Sequence, residues 1–340
     1  MSAVGGAAVR FVAPNEVEVV DHGAAEPTAG EVTVETRCSA ISAGTELLVY
    51  RGEVDGSMAA DEKLPGLGGT LSYPLRYGYA AVGDVVDVGS GVDPTWIGRP
   101  VFGFNPHESS FTARPEDLVA VPDGISYERA ALLANAETAV NFNLDAAPRI
   151  GERIAVFGQG VVGLLTTALL AEAPIETLVA VEPNPKRRSL AATMGADRVV
   201  DPSTEDPVAA VRDATGGVDI AIEVSGRPST LETAVESTRY DGRVVVGSWY
   251  GTKREPVALG GRFHRGRVDI ESSQVSTIDP SLRGRWDRQR RHSVAWNRLT
   301  SINVDALITH RLPVAEAPSA YRLLGDDRTD AVQILLTYEP

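Results

Sequence analysis

The chain has 340 residues, 43% of them hydrophobic, which is enough for two domains of ordinary size with substantial cores. Its formal net charge of −14 makes nucleic acid and anionic membranes poor partners, and its single cysteine, Cys38, excludes an internal disulfide and a cysteine-rich zinc lobe. No apolar run reaches the ~18–20 residues of a membrane span, and the N-terminus lacks the basic start and apolar stretch of a secretory leader, so a cytoplasmic protein is expected.

In chain order, the first part reads as strands and turns. Examples are EVTVETR (31–37) and VGDVVDV (82–88), with alternating apolar residues and glycine punctuation. A mostly antiparallel β domain is expected over 1–125. After Pro122, Ser126 can cap a helix through YERAALLANAETAVNFNL. The strand-like runs IAVFG, LVAVE, RVVD, IAIEV and RVVVGS then alternate with helical stretches. Runs that are apolar throughout suit a parallel sheet covered on both faces, and the helices supply its crossovers. The expected fold class is therefore α/β, with a doubly wound parallel sheet over 126–284. The C-terminal part, 285–340, is expected to complete the first domain through the strand AVQILLTY.

The segment IAVFGQGVVGLLTTALLAEA is a strand, a tight turn and a helix, with Gly158, Gly160 and Gly163 spelling G-x-G-x-x-G. Such a turn binds a dinucleotide. Its glycines allow a tight turn, close approach of the backbone to a pyrophosphate and close helix–strand packing, while the helix N-terminus (Val161, Val162) faces the phosphates. Glu182 ends the next strand about 20 residues on, where a carboxylate can accept from ribose hydroxyls. It favours NAD, since it would repel a 2′-phosphate; the adjacent Lys186, Arg187 and Arg188 keep NADP open. Arg187, Ser225 and Gly247 complete the expected cofactor contacts.

With VGDVVDVGSGV, GRPVFGF, LVAVPDGIS, GERIAVFGQGVVG and DIAIEVSG in this order, nearly the whole chain resembles the medium-chain dehydrogenase/reductase superfamily, the alcohol dehydrogenase-like group. GTELLVYRGE and the C-terminal third resemble its threonine or bacteriochlorophyllide dehydrogenase-like branch. The resemblance implies a GroES-like catalytic domain joined to a Rossmann domain, a cofactor cleft between them, a small-molecule substrate, and a homodimer or homotetramer.

Zinc-dependent members carry Cys-Gly-Thr/Ser-Asp, then Gly-His-Glu, then a third ligand. Here Ser42–Ala43–Gly44–Thr45–Glu46 stands at the first motif, Gly78–Tyr79–Ala80 at the second and Ala134 near the third. Zinc prefers thiolate, imidazole or carboxylate ligands, so neither a catalytic nor a structural zinc is expected. Thr45 matches the family's proton-relaying hydroxyl. Tyr79 either donates a proton or fills the metal's volume. His107 is either an acid–base group at the pocket edge or an exposed loop histidine. Asn135 and Glu137 either bind substrate or hold the local helix. Glu46 matches a carboxylate that supports the metal site in zinc members, and no partner for it is apparent. His22, His264, His292 and His310 also have no evident partner.

Arginine is dense late in the chain: Arg262, Arg265, Arg267, Arg283, Arg285, Arg288, Arg290 and Arg291, with Trp286 and Trp296 among them. The segment serves either an anionic substrate or cofactor phosphate, or else forms a solvated or subunit-contact face. Only three of the 32 basic residues are lysine, a bias expected of a salt-adapted protein or of codon usage alone. Three activities fit: a zinc-independent alcohol/carbonyl dehydrogenase, a C=C reductase of the enoyl or quinone type, and a cofactor-binding protein without turnover.

Overall fold

The computed structural model describes residues 6–64, 66–326 and 329–338. It divides into two compact units, one of 1–134 with 303–340 and one of 135–302.

The first unit opens with β1 (Gly6–Ala13) and β2 (Glu16–His22), an antiparallel pair. Then come β3 (Val32–Ala40), α1 (Ala43–Arg51), β4 (Ala81–Val88), β5 (Pro100–Gly103), β6 (Ser110–Ala113) and β7 (Leu118–Ala120). The short α2 (Tyr127–Ala130) follows, its Arg129 N–H donating to the Ser126 hydroxyl as the sequence leads one to expect. Helix α3 (Leu133–Ala146) starts in this unit and runs into the next. The single long helix read after Ser126 is thus two helices.

The second unit alternates β8 (Arg153–Phe157), α4 (Val161–Ala171), β9 (Thr177–Val181), α5 (Pro185–Thr193), β10 (Arg198–Val200), α6 (Pro207–Thr215), β11 (Val218–Glu223), α7 (Ser229–Ser237), β12 (Thr238–Val246), β13 (Asp269–Ser272) and α8 (Arg288–Ser301). Its six strands are all parallel, in the order β10-β9-β8-β11-β12-β13. Numbered along the chain, that order is 3-2-1-4-5-6, the doubly wound arrangement whose direction switches between β8 and β11. Ile154, Ala155, Val156 and Phe157 of β8 are all buried, as a central strand covered on both faces requires.

The chain returns to the first unit with β14 (Ile308–Pro313), α9 (Ala317–Gly325) and β15 (Gln333–Thr337). β15 pairs antiparallel with β3, so the terminal AVQILLTY does rejoin the first sheet. That sheet runs β14-β15-β3-β4-β5-β7, with β6 also on β3. Val32, Val34, Val85, Val101 and Phe111 form its apolar centre. No described helix is long and apolar enough to cross a membrane.

Candidate active site

The second unit gathers the expected cofactor residues at the C-terminal ends of its strands. Gly158 follows β8 with φ +96°, and a Cβ there would stand 2.6 Å from the Ser225 Cα. A Cβ on Gly163 would meet the Gly158 carbonyl oxygen at 2.1 Å. These two glycines are therefore demanded by the fold. A Cβ on Gly160, by contrast, would meet nothing within 4 Å. Gly160 caps α4, and no side chain accepts from the helix's first N–H groups, which leaves them to an anion. Val161 and Val162 form the first turn behind it.

Glu182 lies just past β9 and is buried. One carboxylate oxygen accepts the Gln159 N–H at 2.7 Å and the other the Asn184 N–H at 2.9 Å. Each oxygen keeps a second acceptor site, which suits ribose hydroxyls. Of the neighbouring cations, Arg188 donates to the Glu182 carbonyl and pairs with Asp201 at 2.8 Å, so it is engaged by the fold. Lys186 is exposed, and Arg187 is half-buried on the first turn of α5, its N–H held by the Asn184 side chain.

Ser225 donates through both its N–H (2.8 Å) and its hydroxyl (2.5 Å) to one oxygen of Glu223, a fully buried carboxylate at the end of β11. The other oxygen accepts from the Tyr250 hydroxyl at 2.5 Å. Burial, with Glu223 beside it, pushes that phenol well above its ordinary range. The sequence did not single out this pair, although Glu223, set between the apolar Ile222 and Val224, was a usable signal. Gly247 packs on the Phe142 ring, which a Cβ would meet at 2.2 Å, so its small size is already required by packing.

Glu137 and Arg291 form a buried ion pair at 2.7 Å in this unit, with His292 3.1 Å from the same carboxylate oxygen. Arg291, 2% exposed, also donates to Asn141 and to the Val275 carbonyl. Burial alone would raise the Glu137 carboxyl, but His292 and Arg291 hold it below the usual range. Glu137 therefore holds the local structure together, and His292 has the partner the sequence could not supply. Asn135 is buried nearby in α3. Elsewhere in the arginine-rich stretch, Arg290 stacks over Trp286 at 4.4 Å, and Arg267 pairs with Asp241 on the surface.

In the first unit, Ser42 is the residue before α1, and Thr45 and Glu46 lie in that helix's first turn and just beyond. The Tyr79 hydroxyl donates to Ser42 Oγ at 2.5 Å, and the Thr45 hydroxyl bonds the same phenol. Three half-buried hydroxyls thus meet at one helix end. Burial raises the Tyr79 phenol to about 12, although its bonds to Ser42 and Thr45 pull the other way. At neutral pH it stays protonated, so it is available as a proton donor.

His107 is not an exposed loop histidine. It is 0% exposed, with Nδ1 2.7 Å from Ser39 Oγ and Nε2 2.9 Å from Glu46 Oε2. The exposed-loop alternative fails because β1 and β3 cover that turn: the Val9 N–H donates to the His107 carbonyl, and the Thr36 N–H to Ser109. Glu46 accordingly has a partner. Cys38 is buried in β3, and burial pushes its thiol up to about 12, as an inert thiol requires. His22 contacts the Ser110 carbonyl, His310 contacts Thr309, and His264 is exposed.

Comparison with known proteins agrees with this geometry. Residues 161–287 match the family model of the zinc-binding dehydrogenases. The chain is 31% identical to (R,R)-butanediol dehydrogenase of Bacillus subtilis over 234 residues, 60% of this chain and 65% of that one. It is 26% identical to D-guloside 3-dehydrogenase of Escherichia coli over 337 residues, 94% of this chain and 95% of that one. Among solved structures, the Bacillus subtilis 2R,3R-butanediol dehydrogenase superposes with a TM-score of 0.80 at 24% identity, covering 98% of this chain and all of that one. A zinc-binding dehydrogenase of Sinorhizobium meliloti bound to NADP gives 0.79 at 20%, covering 98% and 99%. An Escherichia coli alcohol dehydrogenase complexed with NADH gives 0.79 at 18%, again covering 98% and 99%. In its doubly wound sheet, its glycine turn and these likenesses, the chain is similar to the alcohol dehydrogenase-like proteins of the medium-chain dehydrogenase/reductase superfamily.

Proposed function

We propose that the protein is a zinc-independent, NAD-preferring oxidoreductase that interconverts a secondary alcohol or polyol with its carbonyl. The observation that carries this reading is the cluster of Tyr79, Ser42 and Thr45 hydroxyls, in which Tyr79 stands at one sequence position of a zinc ligand, Ser42 beside another and Thr45 at that of the proton-relaying hydroxyl.

The donor set does not suit zinc. Ala43 and Ala134 offer no ligand atom, and the Tyr79 phenol is held protonated. The nearby imidazole and carboxylate, His107 and Glu46, are bonded to each other, and the Cys38 thiol is held protonated. Among the described residues, no three His, Cys, Asp or Glu side chains converge.

The residues for a dinucleotide do fit. Gly160 leaves open space before the free N–H groups of α4, and Glu182 presents acceptors to ribose. When bound, the nicotinamide supplies or accepts the hydride. The chain's own part is to hold the oxygen of the reacting carbon. In reduction, the Tyr79 phenol donates its proton to that oxygen as negative charge develops, and a proton from solvent replaces it through the half-buried Ser42 and Thr45 hydroxyls, each taking up one proton as it gives one. In oxidation the same hydroxyls pass the alcohol proton out to solvent. Glu182, with Arg188 turned to the backbone, favours NAD over NADP.

The test is a panel. 2,3-Butanediol, sorbitol, threonine and simple secondary alcohols are offered with NAD, and the matching ketones, enones and quinones with NADH. Turnover of an alcohol–ketone pair is expected. Turnover of enones or quinones alone would replace this reading with C=C reduction.

A further inference from the structure

The first unit holds a buried chain of polar groups that no step above uses. Ser39, Glu46 and His107 have no exposure at all. Ser39 Oγ contacts His107 Nδ1, and His107 Nε2 contacts Glu46 Oε2. Tyr321 donates to that same Glu46 oxygen, and the Tyr338 hydroxyl lies 3.0 Å from Ser39 Oγ. The order serine–histidine–carboxylate resembles a nucleophilic triad, but a serine sealed from solvent in β3 cannot reach a substrate. The chain leads elsewhere.

Glu46 has a second oxygen, and it accepts the Ser42 N–H at 2.7 Å. Ser42 is the residue whose hydroxyl accepts from Tyr79. A second route joins the same parts. Gly78, with φ +108°, presses its backbone against the His107 ring, and a Cβ there would lie 2.5 Å from two ring atoms. Gly78 directly precedes Tyr79. The His107–Glu46 pair thus bears on the backbone beside the phenol on one side and holds the phenol's acceptor on the other.

We infer that Glu46 and His107 are positioning residues that fix Ser42 and Tyr79 in register for proton transfer. This inference rests on the reading of Tyr79 given above. A buried ionisable pair is costly to desolvate and contributes little to stability compared with well-packed apolar residues, whereas its directional bonds do fix geometry. Proton transfer is sensitive to that geometry: a misplacement of about 1 Å can cost on the order of 100-fold in rate.

The test is a double-mutant cycle on kcat for NADH-dependent reduction of whichever ketone of the panel turns over fastest. Glu46→Gln and His107→Gln are each made alone and with Tyr79→Phe. Either single variant should lower kcat about tenfold or more, with the KM for NADH unchanged, since the cofactor residues lie in the other unit. In the Tyr79→Phe background the same substitutions should change kcat less than about twofold, because the group they position is gone. Equal losses in both backgrounds, or no loss in either, overturns the inference. If Tyr79→Phe alone leaves kcat intact, the reading of Tyr79 fails and the inference falls with it, so the two failures are distinguishable.

Two further measurements cover loss of folding or of turnover. Tyr321→Phe removes one hydroxyl from Glu46 and should show the same coupling in milder form. Without any substrate, the Tyr79 ring-carbon NMR signal, assigned by its loss in Tyr79→Phe, should shift in Glu46→Gln; an unmoved signal overturns the inference.

Discussion

The Tyr79 hydroxyl donates to Ser42 Oγ across 2.5 Å, at the first turn of the helix that also carries Thr45. A phenol raised to about 12 cannot act as a base near neutrality, yet it is a competent donor to a developing oxyanion. Removing one such donor typically costs on the order of 10²–10³ in kcat. Tyr79→Phe is expected to lose about that much, with thermal stability and the KM for NADH unchanged. Steady-state kinetics check this, and an unchanged kcat would reduce Tyr79 to a space-filling role.

Glu182 should set cofactor preference. Both its oxygens are anchored by backbone N–H groups, so the carboxylate cannot swing aside for a 2′-phosphate. The wild type should show a higher kcat/KM with NAD than with NADP. Glu182→Ala should narrow that ratio at least tenfold, since about 1.4 kcal/mol of lost discrimination is already a factor of ten. A preference for NADP in the wild type would contradict the assignment.

The Glu137–Arg291 pair should be felt in stability and in its pH dependence. Truncating one partner of a buried pair costs about 3–5 kcal/mol, so Arg291→Ala should lower the urea midpoint sharply at pH 7. His292 and Arg291 hold the Glu137 carboxyl below its ordinary value despite burial. A depressed carboxyl contributes its stability in full above the ordinary value and loses it as pH falls through the depressed one. Urea titrations between pH 7 and 3 should therefore show a steeper acid loss in the wild type than in Glu137→Gln. Parallel curves would show that the pair is not coupled to folding.

Much of this molecule was legible in its sequence, for identifiable reasons. The central strands were, because burial on both faces leaves apolar runs such as IAVF and LVAV. So were the glycine turn and Glu182, because close backbone approach permits few residue types. Strand β13 was not, because it is an exposed edge strand reading DIES, with no apolar alternation to mark it. The break between α2 and α3 was hidden because Ala131 and Leu132, which form it, are strong helix formers with no glycine or proline beside them. The partner of Glu46 was illegible because His107 lies 61 residues away, just before β6, and only the fold brings the two together. The site's hydroxyl cluster was half visible: Thr45 and Tyr79 stood out against the family pattern, but Ser42 read merely as a shifted ligand position.

The acid-rich composition carries its own expectation. At −14, self-repulsion is long-ranged at low ionic strength and shrinks as the Debye length falls from ~30 Å at 0.01 M to ~3 Å at 1 M salt. If the composition reflects salt adaptation, the melting temperature and activity should both rise with KCl toward molar concentrations. Full stability and activity in dilute buffer would assign the bias to codon usage.

Under the proposed function, hydroxyls at Tyr79, Ser42 and Thr45 do the work for which zinc-dependent relatives use a metal. The most direct measurement is turnover of an alcohol–ketone pair by protein dialysed against a strong chelator, with its metal content determined on the same sample. Less than about a tenth of an equivalent of zinc is expected, with a kcat unchanged by chelation or by added zinc. Stoichiometric zinc, with activity lost on its removal and restored on its return, would contradict it.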